Sequence, residues 1–211
     1  MPQHYPVLLN IAGRRCLIVG GGAVAVRKAA GLAEAGALLR VVAPQVRAEL
    51  DALPGAEILR TRYAPEHLAG CALAFAATDD PAVNAAVAAD ARAAGVLCNV
   101  ADDPDAGDFL VPSVLRTGPV TVSVSTGGAS PALAARLRRI LKTALPEGTG
   151  ELAERLAAWR KVAHAEVADP AARRELLLSL GSAEALDRWA AEGPDGFDRW
   201  VRSRLNPGDE G

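Results

Sequence analysis

Three consecutive glycines, Gly20, Gly21 and Gly22, follow the apolar run Cys16-Leu17-Ile18-Val19 and precede Ala23-Val24-Ala25. Gly20-x-Gly22-x-x-Ala25 is the spacing of a loop that cradles a pyrophosphate. The first glycine permits a tight turn, the second lets the backbone approach phosphate oxygens, and a small third residue keeps the next helix close to the sheet. The helix N-terminus adds unpaired N–H groups and the positive end of a dipole. The motif alone is weak, but a strand before it and a helix after it supply the context that a dinucleotide site requires. The acidic residue that often binds the adenine ribose at the end of the second strand is replaced here by Ala43-Pro44-Gln45. The ribose is therefore left to backbone groups or Gln45, and the choice between NAD and NADP stays open. Arg40 and Arg47 are near enough in sequence to meet a 2′-phosphate, although surface solvation suits both. The expected cofactor residues are Gly20, Gly21, Gly22, Ala23, Val24, Pro44 and Gln45, with Thr78 and Asn99 at the ends of the fourth and fifth strands.

A second group of reactive residues follows Cys98-Asn99-Val100: Asp102, Asp103 and Asp105. Ligands of open α/β sheets bind beyond the C-terminal strand ends. A carboxylate there, with a reference pKa of about 4, is ionised at neutral pH and can accept the proton released in an oxidation. The same three aspartates also suit a plain turn. Ser125-Thr126-Gly127-Gly128-Ala129-Ser130 forms another glycine-rich strand-to-helix turn, with Ser130 as cap and Pro131 at the first helical position. Its helix N-terminus is an anion site by the same physics as the first loop. Arg136, Arg138 and Arg139 read as a solvated helix face. His4, His67 and His164 do not stand at metal-ligand spacing, so no metal site is expected. Cys16, Cys71 and Cys98 sit in or beside apolar runs without a CxxC pair, which reads as buried thiols in a reducing compartment.

These residues need a frame. Apolar runs at Cys16–Val19, Leu38–Ala43, Ile58–Leu59, Cys71–Ala77 and Val96–Val100 alternate with helical stretches at Ala23–Ala35 and from Pro81 to about Ala94. Gly36 and Gly95 stand where helix-closing glycines belong, and Asp80-Pro81 is a helix start. Near-continuous apolar strands joined by helices predict a parallel sheet covered on both faces. After a polar stretch, Phe109–Leu115 and Val120–Ser125 read as β segments. In the second, Val120, Val122 and Val124 alternate with Thr121, Ser123 and Ser125, predicting one buried and one polar face. A helix from Ser130-Pro131 to about Leu145 follows, then an amphipathic helical region broken at Asp169-Pro170, Gly181-Ser182 and Gly193-Pro194, and a frayed tail at 206–211.

The chain of 211 residues has room for one ordinary domain and a smaller one. A formal net charge of −2 argues against a nucleic-acid partner. The N-terminus lacks a basic segment followed by an apolar one, and no apolar stretch is long enough to span a bilayer, so a cytoplasmic protein is expected.

Several segments taken together carry a resemblance. Leu17–Gly22, Val24-Ala25 and Arg27-Lys28-Ala29 are joined by Ala76–Asp80, Val83-Asn84 and Cys98-Asn99-Val100. Asp102, Pro104, Phe109, Pro112-Ser113, Val124–Gly128 and Ser130-Pro131 continue the pattern. This set resembles the precorrin-2 dehydrogenase and sirohydrochlorin ferrochelatase module of siroheme synthases, over about residues 5–145 and only loosely in the helical tail. Ordinary dehydrogenases do not continue in this way after the fifth strand.

The resemblance implies an α/β fold: a Rossmann-type NAD-binding domain over 1–112, a small α+β dimerisation segment over 113–146 and a helical C-terminal domain over 147–211, assembled as a homodimer. It implies NAD-dependent oxidation of precorrin-2 to sirohydrochlorin. Ferrous iron insertion is a second activity that some members have and others lack. It makes Asp102 the general base, with Asp103 one register away, and sets Ser125, Thr126, Gly127 and Gly128 toward the substrate carboxylates. Some members carry a phosphorylatable serine at the Thr126 position, from which this chain departs. A fused methyltransferase is not expected, since the sequence stops at Gly211. The competing readings are a non-catalytic NAD-binding regulatory module, which would need neither Asp102 nor the Thr126–Pro131 turn, and a small-substrate dehydrogenase. The latter is poorly served, because the tyrosines are only Tyr5 and Tyr63, both early.

Overall fold

In the computed structural model, which describes residues 4–205, the first half of the chain alternates strand and helix. The order is β1 (Arg15–Val19), α1 (Ala23–Glu34), β2 (Leu38–Val42), α2 (Ala48–Asp51), β3 (Glu57–Leu59), a 3-10 turn at Pro65–Leu68, β4 (Cys71–Ala76), α3 (Pro81–Ala93) and β5 (Leu97–Val100). The five strands pair in parallel in the order β3-β2-β1-β4-β5. The chain therefore winds outward from β1 to β3 and then crosses back to place β4 on the other side of β1. That reversal opens a crevice at the C-terminal ends of β1 and β4, where ligands of such sheets bind.

Both faces of the sheet are covered, which is why its strands are apolar without alternation. Cys16, Ile18, Val41 and Phe75 pack with Ala25 and Ala29 of α1. Leu17, Val19, Ala74 and Ala76 pack with Val87 and Ala91 of α3. Asp80 caps α3 by accepting from the N–H groups of Ala82 and Val83, and Gly36 and Gly95 adopt the left-handed conformation expected after α1 and α3.

The rest comprises the antiparallel hairpin β6 (Ser113–Thr117) and β7 (Val120–Val124), then α4 (Pro131–Ala144), α5 (Thr149–Glu166), α6 (Pro170–Ser179) and α7 (Ala183–Leu205). Helix α4 starts as expected: the Ser130 hydroxyl accepts from the Leu133 N–H, with Pro131 at the first position. Helix α7 is interrupted at Gly193 (φ 66°, ψ −171°) before Pro194. Helices α5, α6 and α7 close around their own core of Leu152, Trp159, Leu176, Leu180, Trp189, Phe197 and Trp200. The chain divides into two compact units, one running to Val111 and taking in Gly127–Ala129, the other comprising Pro112–Thr126 and the chain from Ser130 onward.

Two expectations are corrected. Phe109–Val111 is not strand, because Asp108 and Phe109 are tied back to β5 by hydrogen bonds and the hairpin starts only at Ser113. The valine face of β7 is half-buried rather than buried, as are Thr121 and Val122 alike, since a two-stranded hairpin has little cover of its own. The tail at 206–211 lies outside the described residues. No helix among the described residues is long and apolar enough to cross a membrane.

Candidate functional site

The phosphate loop lies at the sheet's topological crevice. Gly20 ends β1 with φ 128°, a conformation that side chains rarely adopt, and a Cβ there would come within 2.3 Å of the Ala77 carbonyl oxygen after β4. Gly21 is packed from the other side: a Cβ would meet the Gln45 carbonyl oxygen at 1.9 Å, and the Gly21 carbonyl accepts from the Arg47 N–H at 3.0 Å. Gly22 differs from both, with nothing within 4 Å of the place a methyl group would take. Two glycines thus bring three backbone segments together, and the third leaves an opening. Gly22 stands at the N-cap of α1 with no side-chain cap, and the first turn carries no acid. The N–H groups of that turn remain for an anion. Ala25 is fully buried and holds α1 against the sheet. These features fit a dinucleotide pyrophosphate.

At the end of β2, Pro44 and Gln45 are exposed. The two arginines near them differ. Arg40 is not a solvated residue: it pairs with Glu57 at 2.8 Å and donates to the His67 carbonyl at 3.0 Å, leaving its side chain 14% exposed. Arg47 pairs with Glu49 at 3.2 Å, and the hydrogen bonds within that segment hold the Glu49 carboxyl below its ordinary range.

Thr78, at the end of β4, is held by a residue that periodicity does not single out. Asn84, 5% exposed on α3, accepts from the Thr78 N–H at 3.1 Å and from its hydroxyl at 2.7 Å, and donates to its carbonyl at 3.1 Å. Its signals in the sequence are its place in the resemblance at Val83-Asn84 and a polar residue at a helix position that faces the core. Asn99, at the end of β5, is 4% exposed; its amide donates to the Phe109 carbonyl at 2.8 Å, while its Oδ1 has no partner among the described residues.

The turn after β5 separates its two adjacent aspartates. Asp103 accepts from the N–H groups of Asp105 and Ala106 at 3.1 and 3.2 Å, so its carboxylate builds the turn. Asp102 is exposed, and its carboxylate makes no hydrogen bond or ion pair among the described residues. Of the two adjacent acids it is the one whose carboxylate the turn does not consume.

In the second glycine turn, the Thr126 hydroxyl accepts from the Ser130 N–H at 3.0 Å and donates to the Ser130 carbonyl at 3.1 Å. Gly127 and Gly128 have φ of 63° and 89°, and Gly128 approaches the Pro104 ring closely enough that a Cβ would lie 3.1 Å from it. Ser125 is exposed. On α4, Arg136 and Arg139 are exposed, but Arg138 is partly buried, with an Nε that finds no partner among the described residues.

His67 accepts from the Ala64 N–H through Nδ1, and His4 and His164 are exposed. No group of three or more His, Cys, Asp or Glu among the described residues could hold a metal ion. All three cysteines are buried free thiols, and burial pushes Cys16 and Cys98 up to about 11.

Comparison with known proteins places the chain among relatives. The family described as "Putative NAD(P)-binding" matches residues 7–113, and the one described as "Sirohaem biosynthesis protein central" matches residues 117–144. A siroheme synthase of Chromobacterium violaceum is 44% identical over 82% of this chain and 37% of its own length. One of Tolumonas auensis is 37% identical over 98% of this chain and 45% of its own length. The chain thus spans less than half the length of these curated relatives. A solved structure, "SirC, precorrin-2 dehydrogenase", superposes with a TM-score of 0.76 at 26% identity, covering 95% of this chain and 98% of that one. The chain belongs to the family described as putative NAD(P)-binding, and it is similar to the NAD(P)-binding module of siroheme synthases.

Proposed function

We propose that this protein oxidises precorrin-2 to sirohydrochlorin with NAD, in the cytoplasm. One observation carries the reading: the unit that holds the phosphate loop, with its open Gly22 and uncapped α1, also presents Asp102 as an unengaged carboxylate beyond β5. A sensor module needs the first of these but not the second. The near full-length likeness to a precorrin-2 dehydrogenase supports the same substrate.

NAD, when bound, supplies the hydride acceptor. Gly20, Gly21, Gly22, Ala23 and Val24 would hold its pyrophosphate, Pro44 and Gln45 would serve its adenosine, and Thr78 and Asn99 would shape the strand ends of that site. The engagement of the largely buried Arg40 by Glu57 and the His67 carbonyl takes that cation out of reach of a 2′-phosphate and favours NAD over NADP. As the macrocycle loses a hydride, Asp102 takes the proton released from the same bond system, and the carboxylate becomes a carboxylic acid. Ser125, Thr126, Gly127 and Gly128 receive the substrate. Thr126 serves there through the shape of its turn, since its hydroxyl is spent on Ser130.

The segment 113–146 joins two copies between an NAD-binding domain (1–112) and a helical domain (147–211). Leu133, Leu137, Ile140 and Leu141 form one exposed stripe on α4, at a spacing that places them on a single helix face. A second copy of the same hairpin and helix is the occupant that such a self-complementary patch suits.

Purified protein mixed anaerobically with precorrin-2 and NAD tests the function. One NADH should appear per sirohydrochlorin. Binding of NAD without any oxidation would return the protein to the regulatory reading. Ferrous iron added afterwards reports on insertion through the loss of the free sirohydrochlorin spectrum.

A further inference from the structure

The turn that carries Asp102 leaves β5 and comes back to the same strand. Strand β5 lies at the edge of the sheet, paired with β4 on one side only. On its open side the backbone of Cys98 is met by a single residue, Asp108. The Asp108 N–H donates to the Cys98 carbonyl at 2.7 Å, and the Asp108 carboxylate accepts from the Cys98 N–H at 2.9 Å. One residue thus satisfies both edge groups, as a neighbouring strand would. The fit is close: a Cβ on Gly107 would lie 3.1 Å from both the Cys98 carbonyl oxygen and the Val100 nitrogen. Next in sequence, the Phe109 carbonyl is fixed by the buried Asn99 amide at 2.8 Å, and the Phe109 ring packs edge-on against Phe75 at 5.4 Å. Inside the turn, Asp103 holds Asp105 and Ala106. These polar contacts are spent on the shape of the segment, and the Asp102 carboxylate is left out of them.

We propose that Asp108 is a positioning residue, which fastens the turn of residues 101–107 to the open edge of β5 and so sets where the Asp102 carboxylate stands. This rests on the reading of Asp102 as the base. Asp108 itself touches no reacting atom; it acts through Asp102. Misplacing a reacting group by about 1 Å can cost on the order of 10²-fold in rate, so loss of the clamp should be felt in turnover rather than in cofactor affinity.

The test measures single-turnover oxidation of precorrin-2 for Asp108→Ala, Asp108→Asn and Asp108→Glu, with Asp102→Ala and the Asp102→Ala/Asp108→Ala double variant alongside, together with NAD affinity for each. Asp108→Ala should slow oxidation by about tenfold or more with NAD affinity unchanged. Asp108→Asn, which keeps an oxygen for the Cys98 N–H, should restore the rate. Asp108→Glu keeps the charge but lengthens the arm, and should not. On the Asp102→Ala background, adding Asp108→Ala should change nothing further, because a group that acts only through Asp102 has no effect without it. Full activity in Asp108→Ala overturns the proposal, as does an equal loss on both backgrounds. Should the alanine variant fail to fold, the contrast between Asn and Glu decides the same question: equal rates overturn the clamp. A wild-type rate in Asp102→Ala would instead remove the underlying reading, an outcome distinct from active Asp108→Ala beside inactive Asp102→Ala.

Discussion

Single residues in this site differ sharply in what they do, and the three glycines show it. Gly21 is a packing residue against the Gln45 carbonyl, whereas Gly22 faces open space. Gly21→Ala should therefore destabilise the protein by about 1–3 kcal/mol, lowering Tm by roughly 2–12 °C. Gly22→Ala should leave Tm nearly unchanged and weaken NAD binding, because its methyl group would occupy the space proposed for phosphate. Thermal melts and an NAD titration on the two variants check this contrast. The buried thiols make a second prediction. Cys16 and Cys98 keep their protons in the fold up to about 11, above the ordinary value of 9.0. The folded state holds those protons more tightly than the unfolded chain, so their contribution to stability is whole below pH 9 and falls as the pH climbs toward 11. Denaturant midpoints should drop across that window, and a thiol reagent at about pH 8 should label native protein only at the rate of opening.

At the scale of elements, the loop-forming contacts matter more than the helices and strands they join. Asn84 belongs to α3 but governs the turn at Thr78 through three hydrogen bonds. Asn84→Ala would bury unpaired groups at about 1–3 kcal/mol and loosen the turn beside Gly20, so both Tm and NAD affinity should fall together. The regular elements are readable in the sequence because apolar runs, capping residues and closing glycines are local signals: the five strands, Asp80-Pro81 and Ser130-Pro131 all stand close to where patterning puts them. The segment around Phe109 departs from its strand-like pattern for the opposite reason. Its conformation is set by Asn99 and by the Cys98 backbone, ten residues away in sequence, and periodicity carries no trace of such partners. Likewise the identity of the available acid in Asp102-Asp103 depends on which side chain the turn consumes, a fact visible only once the turn is formed. Arg40, which looks like a surface cation, is drawn inward by Glu57 and two carbonyls contributed by distant segments.

At the scale of the whole molecule, the exposed apolar stripe on α4 is where the proposed second copy would dock. Leu133 and Ile140 are each 50% exposed on one face of α4, with Leu137 and Leu141 between and beside them. A dimer built on that stripe should dissociate when its centre is charged: Leu137→Glu with Ile140→Glu should sediment as a monomer, while wild type sediments at twice that mass. If both sediment alike, the patch has another role. The proposed oxidation of precorrin-2 requires Asp102 and the NAD loop to act together. The most direct measurement is anaerobic single turnover of precorrin-2 by wild type and Asp102→Ala, each first shown to bind NAD with equal affinity. Stoichiometric NADH and sirohydrochlorin from wild type, with a loss of about 10²–10⁴-fold in the variant, is the predicted result. Equal rates in the two proteins, or no NADH from either, would contradict it.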